Sequence, residues 1–191
     1  DLFKAVATAA VLKIETFHPQ ALANTVWAFA RASEGVKSLL DSKETQDLFR
    51  AVSRQCEKRI LAFQPTDFSN TVWAFTKAKM KADLASKACF QAPAMYTAIA
   101  SEAVIKHASF TPRDLAVTCW AFAAAGVAGE AVRKMFDSAA KVALKKMHAF
   151  DAQAFATLAW AFAASKSPAM QLFVKVADSA IAKIADFSAR E

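Results

Sequence analysis

Five basic residues, Lys13, Arg59, Lys106, Lys146 and Lys183, each follow an aromatic residue by ten positions (Phe3, Phe49, Tyr96, Phe136 and Phe173). One cation at a fixed phase of a repeated unit suits a polyanionic strand, with each ammonium or guanidinium meeting one phosphate. On a helix each would lie about 80° from the apolar stripe, so stacked units would align them in a ladder. A cation in the last turn of a helix is also favoured by the helix dipole without any ligand. The two explanations stand side by side.

A second set follows the phenylalanines Phe17, Phe63, Phe110 and Phe150 at offsets of three, seven, eleven and fourteen. It comprises Gln20, Asn24, Ala28 and Arg31, then Thr66, Asn70, Ala74 and Lys77. The third and fourth copies are Arg113, Val117, Ala121 and Ala124, then Gln153, Thr157, Ala161 and Ala164. Amides, hydroxyls and cations at one place per repeat can read successive bases of single-stranded RNA. The polar members Gln20, Asn24, Arg31, Thr66, Asn70, Lys77, Arg113, Gln153 and Thr157 are therefore candidate base contacts. The competing role for Asn24 and Asn70 is to tie down neighbouring backbone.

The remaining chemistry-bearing residues form no active site. His18, His107 and His148 fall at unrelated repeat positions, and His107 lies on an apolar stripe that predicts burial. Cys56, Cys89 and Cys119 have neither zinc-ligand spacing nor an even count. Asp67 and Asp114 belong to different repeats, in the first turn of a helix where an anion is favoured. No glycine-rich phosphate loop occurs. The reading is a protein that is not an enzyme and uses no cofactor or metal.

The elements that must position these residues come from the repeat itself. Trp27, Trp73, Trp120 and Trp160 are spaced by 46, 47 and 40 residues, a period typical of stacked helical arrays. Each unit reads as a helix from the leading aromatic to the turn phenylalanine, then a short turn, then a tryptophan-bearing helix. In the first helix, Val6, Ala10, Ile14 and Phe17 fall on one face. Pro19, Pro65 and Pro112 open the second helix, where a missing N–H is harmless; Asp151 replaces that signal in the fourth copy as an N-cap. The tryptophans, beside Val and Phe, read as core.

These signals predict an all-α fold, an α-solenoid of four full helix-turn-helix repeats plus the leading helix of a fifth. Repeat boundaries are expected near 1–46, 47–93, 94–133, 134–170 and 171–191 in one array, a piece of a longer one. Residues 33–46 and 79–94 read as helix extensions and loops, not domain boundaries. The chain is 55% hydrophobic with only three glycines, too apolar for disorder and too poor in turn residues for an all-β fold. No apolar run reaches a membrane span of roughly 18 residues. The net charge of +7 fits a polyanionic partner.

The stretch Phe17–Ala30 contains Leu-Ala-Asn-Thr-Val-Trp-Ala-Phe-Ala after a proline, and residues 70–75 repeat its centre. It resembles the octotricopeptide repeat family and related repeats of algal and alveolate organellar proteins, over nearly the whole chain. The third and fourth copies depart from the motif, with Val117 and Thr157 in place of Asn. The resemblance implies sequence-selective RNA binding in a mitochondrion or plastid, in transcript maturation, stability, translation or ribosomal RNA organisation. Two alternatives remain open: a protein-protein scaffold of HEAT or tetratricopeptide type, and a structural subunit of a large organellar complex.

Overall fold

The computed structural model describes residues 2–36, 38–167 and 169–182. Among these there are nine α-helices and no strand: α1 (Leu2–Leu12), α2 (Pro19–Ala32), α3 (Lys43–Lys58), α4 (Pro65–Lys81), α5 (Pro93–Ile105), α6 (Pro112–Ala125), α7 (Glu130–Lys146), α8 (Ala152–Ala164) and α9 (Met170–Ala182). The fold is all-α and built of stacked helix-turn-helix repeats, with odd-numbered helices first in each repeat and even-numbered helices second. Lys183 lies outside the described residues.

The chain forms two compact units, residues 1–99 and 100–191. The boundary falls inside α5 and not in either polar linker. In the first unit α1 packs on α3 and α2 on α4; in the second, α6 packs on α8 and α7 on α9. In each of these four pairs a helix stacks on its counterpart one repeat away, as a periodic apolar stripe requires.

The first helix of each repeat ends earlier than the sequence stripe suggests. α1, α3 and α5 each end five positions before the turn phenylalanine, and a 3-10 turn fills the gap: Ile14–Thr16, Ile60–Ala62 and His107–Ser109. In the fourth repeat α7 runs to Lys146 and the 3-10 turn is Met147–Ala149. The basic residue of the ladder stands at this break each time. Lys13 and Arg59 have φ of −114° and −124°, outside the helical range. The turn phenylalanine is then extended (Phe17 φ −71°, ψ 133°), which swings the chain into the second helix.

Capping fixes where the second helix begins. Pro19, Pro65 and Pro112 occupy its first turn. Asp67 accepts from the backbone N–H of Gln64 at 2.9 Å, and Asp114 accepts from the Thr111 hydroxyl at 2.7 Å. Asp151 accepts from the Ala154 N–H at 2.7 Å, substituting for the absent proline. Both aspartates of the early turn are thereby structural.

The core is aromatic. Phe49 meets Phe75 and Phe90 edge-on, each at 4.9 Å between centroids, and Phe136 meets Phe162 at 5.1 Å. All five rings are fully buried, and truncating any of them to alanine should cost about 3–5 kcal/mol. The two polar linkers fasten to each other within the first unit. The Gln46 amide donates to the Ser86 hydroxyl at 2.9 Å, and the Asp83 N–H donates to the Asp41 carboxylate at 3.1 Å.

Candidate functional site

The second helix of each repeat turns one row of side chains away from the core. In α2 the inward side is taken by Leu22, Ala23, Val26, Phe29 and Ala30. Trp27, one residue past Val26, is rotated about 100° outward. It therefore shares a face with Gln20, Asn24 and Arg31, all exposed. The expectation that the tryptophans are core is corrected here: Trp27 is 41% exposed and Trp160 48%, while Trp73 and Trp120 are half-buried. The outward row runs at offsets three, seven, ten and fourteen from the turn phenylalanine. At offset eleven, Ala74, Ala121 and Ala161 are buried and only Ala28 is exposed.

Within the first unit, α2 and α4 bring two rungs of this row together. The Asn70 side-chain amide donates to the Asn24 side-chain oxygen at 3.3 Å. Trp27 and Trp73 lie 6.1 Å apart between centroids, tilted by 36°. The Lys77 ammonium sits 5.8 Å from the centre of the Trp73 ring, a cation–π distance. Arg31 pairs with Glu34 at 2.9 Å. The two asparagines thus bond to one another across repeats, and the competing role of tying down backbone is not what this contact does. Thr66 is exposed at the head of α4.

In the second unit the same row is nearly uncharged. Arg113 and Gln153 are exposed at the helix starts, but Val117, Trp120 and Ala124 follow on α6 and Thr157, Trp160 and Ala164 on α8.

The ladder of cations has a second occupation. The Arg59 guanidinium donates to the carbonyl oxygens of Phe17, at 2.7 Å, and Glu15, at 3.5 Å. The Lys146 ammonium donates to those of Phe110 and Ala108, both at 2.8 Å. The acceptors are equivalent: in each case they belong to the turn phenylalanine of the preceding repeat and the residue two before it. A 3-10 turn followed by an extended residue leaves carbonyls without helical partners, and a cation satisfies them. Arg59 and Lys146 are therefore inter-repeat latches, a role that stands beside their expected place as phosphate rungs. Lys106 forms an ion pair with buried Glu102 at 3.3 Å. Lys13 is exposed.

His107 is exposed and not buried; it opens the 3-10 turn that follows α5, the place where Ile14 of the first repeat is buried. Its Nδ1 donates to the Val104 carbonyl at 2.7 Å. Burial pushes the Cys56 and Cys119 thiols up to about 12. Among the described residues no cluster of His, Cys, Asp and Glu could hold a metal ion, and no helix is long and apolar enough to cross a membrane. No known family model and no curated protein matches the chain.

Proposed function

We propose that this is an RNA-binding helical-repeat protein that holds single-stranded or ribosomal RNA on the outward row of its second helices. The observation that carries the reading is the unit-one cluster of Asn24–Asn70, Trp27–Trp73 and Lys77. It combines stacking surfaces, amides able to meet base edges, and a cation for the backbone, the three ingredients of single-strand binding. A net charge of +7 supports it. The organelle, and a part in RNA maturation, stability, translation or ribosome organisation, rest on the repeat resemblance alone.

One observation favours a second reading. The uncharged row of unit two, with Val117, Trp120 and Trp160, suits an apolar protein partner, so a scaffold or a structural subunit of a large complex is the alternative.

Trp27→Ala separates them. Loss of a stacking platform worth about 1–3 kcal/mol per base should weaken single-stranded RNA binding roughly tenfold by fluorescence anisotropy, with the melting temperature lowered by only about 2–4 °C. RNA affinity indifferent to Trp27→Ala and to Lys77→Gln alike would leave the scaffold reading in place.

A further inference from the structure

The second unit carries a cleft of about 500 Å³ lined by first helices, with no residue of the tryptophan row in its lining. One wall is a single stripe of α7 holding Lys134, Lys141 and Lys145; the other is the end of α5 with its 3-10 turn. Val104, Ala108 and Val142 give the cleft an apolar lining, and Asp137 is its one carboxylate. Lys134 pairs with Glu130 at 2.8 Å, and Lys146 is engaged by the turn carbonyls. Among the described residues neither Lys141 nor Lys145 has a carboxylate partner, and both are exposed. They stand one helical turn apart, about 6 Å along the axis.

The repeat offers an internal control. The counterpart of Lys145 in α3 is Lys58, nine residues after Phe49 as Lys145 is after Phe136. Lys58 is paired with Glu15 at 3.8 Å. Glu15 stands two residues before Phe17; the matching residue before Phe110 is Ala108. The carboxylate that neutralises the site in unit one is replaced by a methyl group in unit two. Lys145 thereby loses the partner that Lys58 has, and Asp137 is the one carboxylate left in the cleft.

We propose that this cleft is a phosphate-binding site, in which Lys141 and Lys145 hold two neighbouring phosphate groups over the apolar lining. A volume near 500 Å³ suits a nucleotide-sized ligand. The phosphates can come from an RNA backbone, which deepens the function proposed above and to that extent rests on it, or from a free polyphosphate.

The test pairs K141Q/K145Q with A108E, which restores the unit-one carboxylate, and uses two probes. Titration of wild-type protein with inorganic tripolyphosphate, followed by calorimetry, should show binding that both variants abolish. Anisotropy of single-stranded RNA across a salt series should show the slope of K141Q/K145Q falling by about 1.4, two contacts at ~0.7 each. A slope change identifies RNA as the source. Tripolyphosphate binding lost in both variants with an unchanged RNA slope identifies a free polyphosphate. If neither probe distinguishes the variants from wild type, the site is refuted. A wild-type protein that binds no RNA would sink the RNA reading alone, because the tripolyphosphate arm still decides the cleft.

Discussion

Trp27 and Trp73, 46 residues apart in sequence, face each other 6.1 Å apart on the outer side of α2 and α4. The most hydrophobic-looking residue of the motif is thus placed where it touches solvent and its own copy. Energetically it should behave unlike the buried phenylalanines. Trp27→Ala should lower unfolding free energy by about 1 kcal/mol, the worth of an aromatic pair. Phe75→Ala should cost about 3–5 kcal/mol. Urea denaturation of the two variants checks the contrast; equal losses would return the tryptophans to the core.

The latch predicts a stability defect without a binding phenotype. Arg59→Gln removes charged donors from two turn carbonyls and should destabilise by about 1.5–3 kcal/mol. Its RNA salt slope should match that of the wild type. A slope lowered by a full contact, with unchanged stability, would favour the phosphate role of Arg59 over the latch.

Two buried hydroxyls, those of Thr71 and Thr118, have no hydrogen-bond partner. The same place in the fourth repeat is Leu158, fully buried. Thr71→Val and Thr118→Val should therefore each raise stability by about 1 kcal/mol, measured as a higher urea midpoint at constant slope. A lower midpoint would mean that the hydroxyls are satisfied in solution.

The end of the second helix makes a prediction from backbone geometry. Gly126 ends α6 with φ +66°, and Val127 N–H closes back to Phe122 at 3.2 Å. Lys166 holds the equivalent place after α8 with φ +54°, and Ser167 N–H closes to Phe162 at 3.3 Å. A lysine in the left-handed region is strained where glycine is not, so Lys166→Gly should stabilise by about 1 kcal/mol. An unchanged or lower melting temperature would contradict this.

Alkali should destabilise the fold. Burial raises the Cys56 and Cys119 thiols to about 12 and raises the Tyr96 phenol as well, against the lowering effect of its bond to Thr76. In the unfolded chain thiols ionise near ~8.5 and tyrosine near ~10. Above those values the unfolded state binds fewer protons than the native state, so stability is full below about pH 8 and falls toward pH 12. Urea melts at pH 7 and 10.5 measure the loss. In native protein at pH 8, iodoacetamide should label half-buried Cys89 ahead of Cys56 and Cys119.

The helical repeat was legible because Trp, Phe and Pro recur at fixed offsets and because period 3.6 sorts the alanines and valines inward. The site was legible only in part. Offsets of three, seven and fourteen found the outward row, but residue size hid Trp27, since a large aromatic next to valine reads as core until the inward stripe is seen to be filled by Leu22, Val26 and Phe29. The cation at offset ten was found by its recurrence. The latch that Arg59 and Lys146 make was not, because it depends on carbonyls freed by a 3-10 turn that one-dimensional spacing does not reveal. His107 was misplaced because the spacing assigns its position to the stripe whatever the side chain, and the apolar Ile14 is buried there while the polar His107 is exposed.

Because Arg59 and Lys146 each close a bond to the repeat before their own, removing one repeat orphans carbonyls or a cation in its neighbour. Such coupling makes the two latched repeats of each pair melt together, as interacting spins in a one-dimensional chain flip in blocks. Hydrogen exchange should then show the Phe17 and Phe110 turns opening with the helices that follow them. The turn's amides would report on the stability of α3 and α7, and a load pulling on the chain would meet its resistance at these two cations.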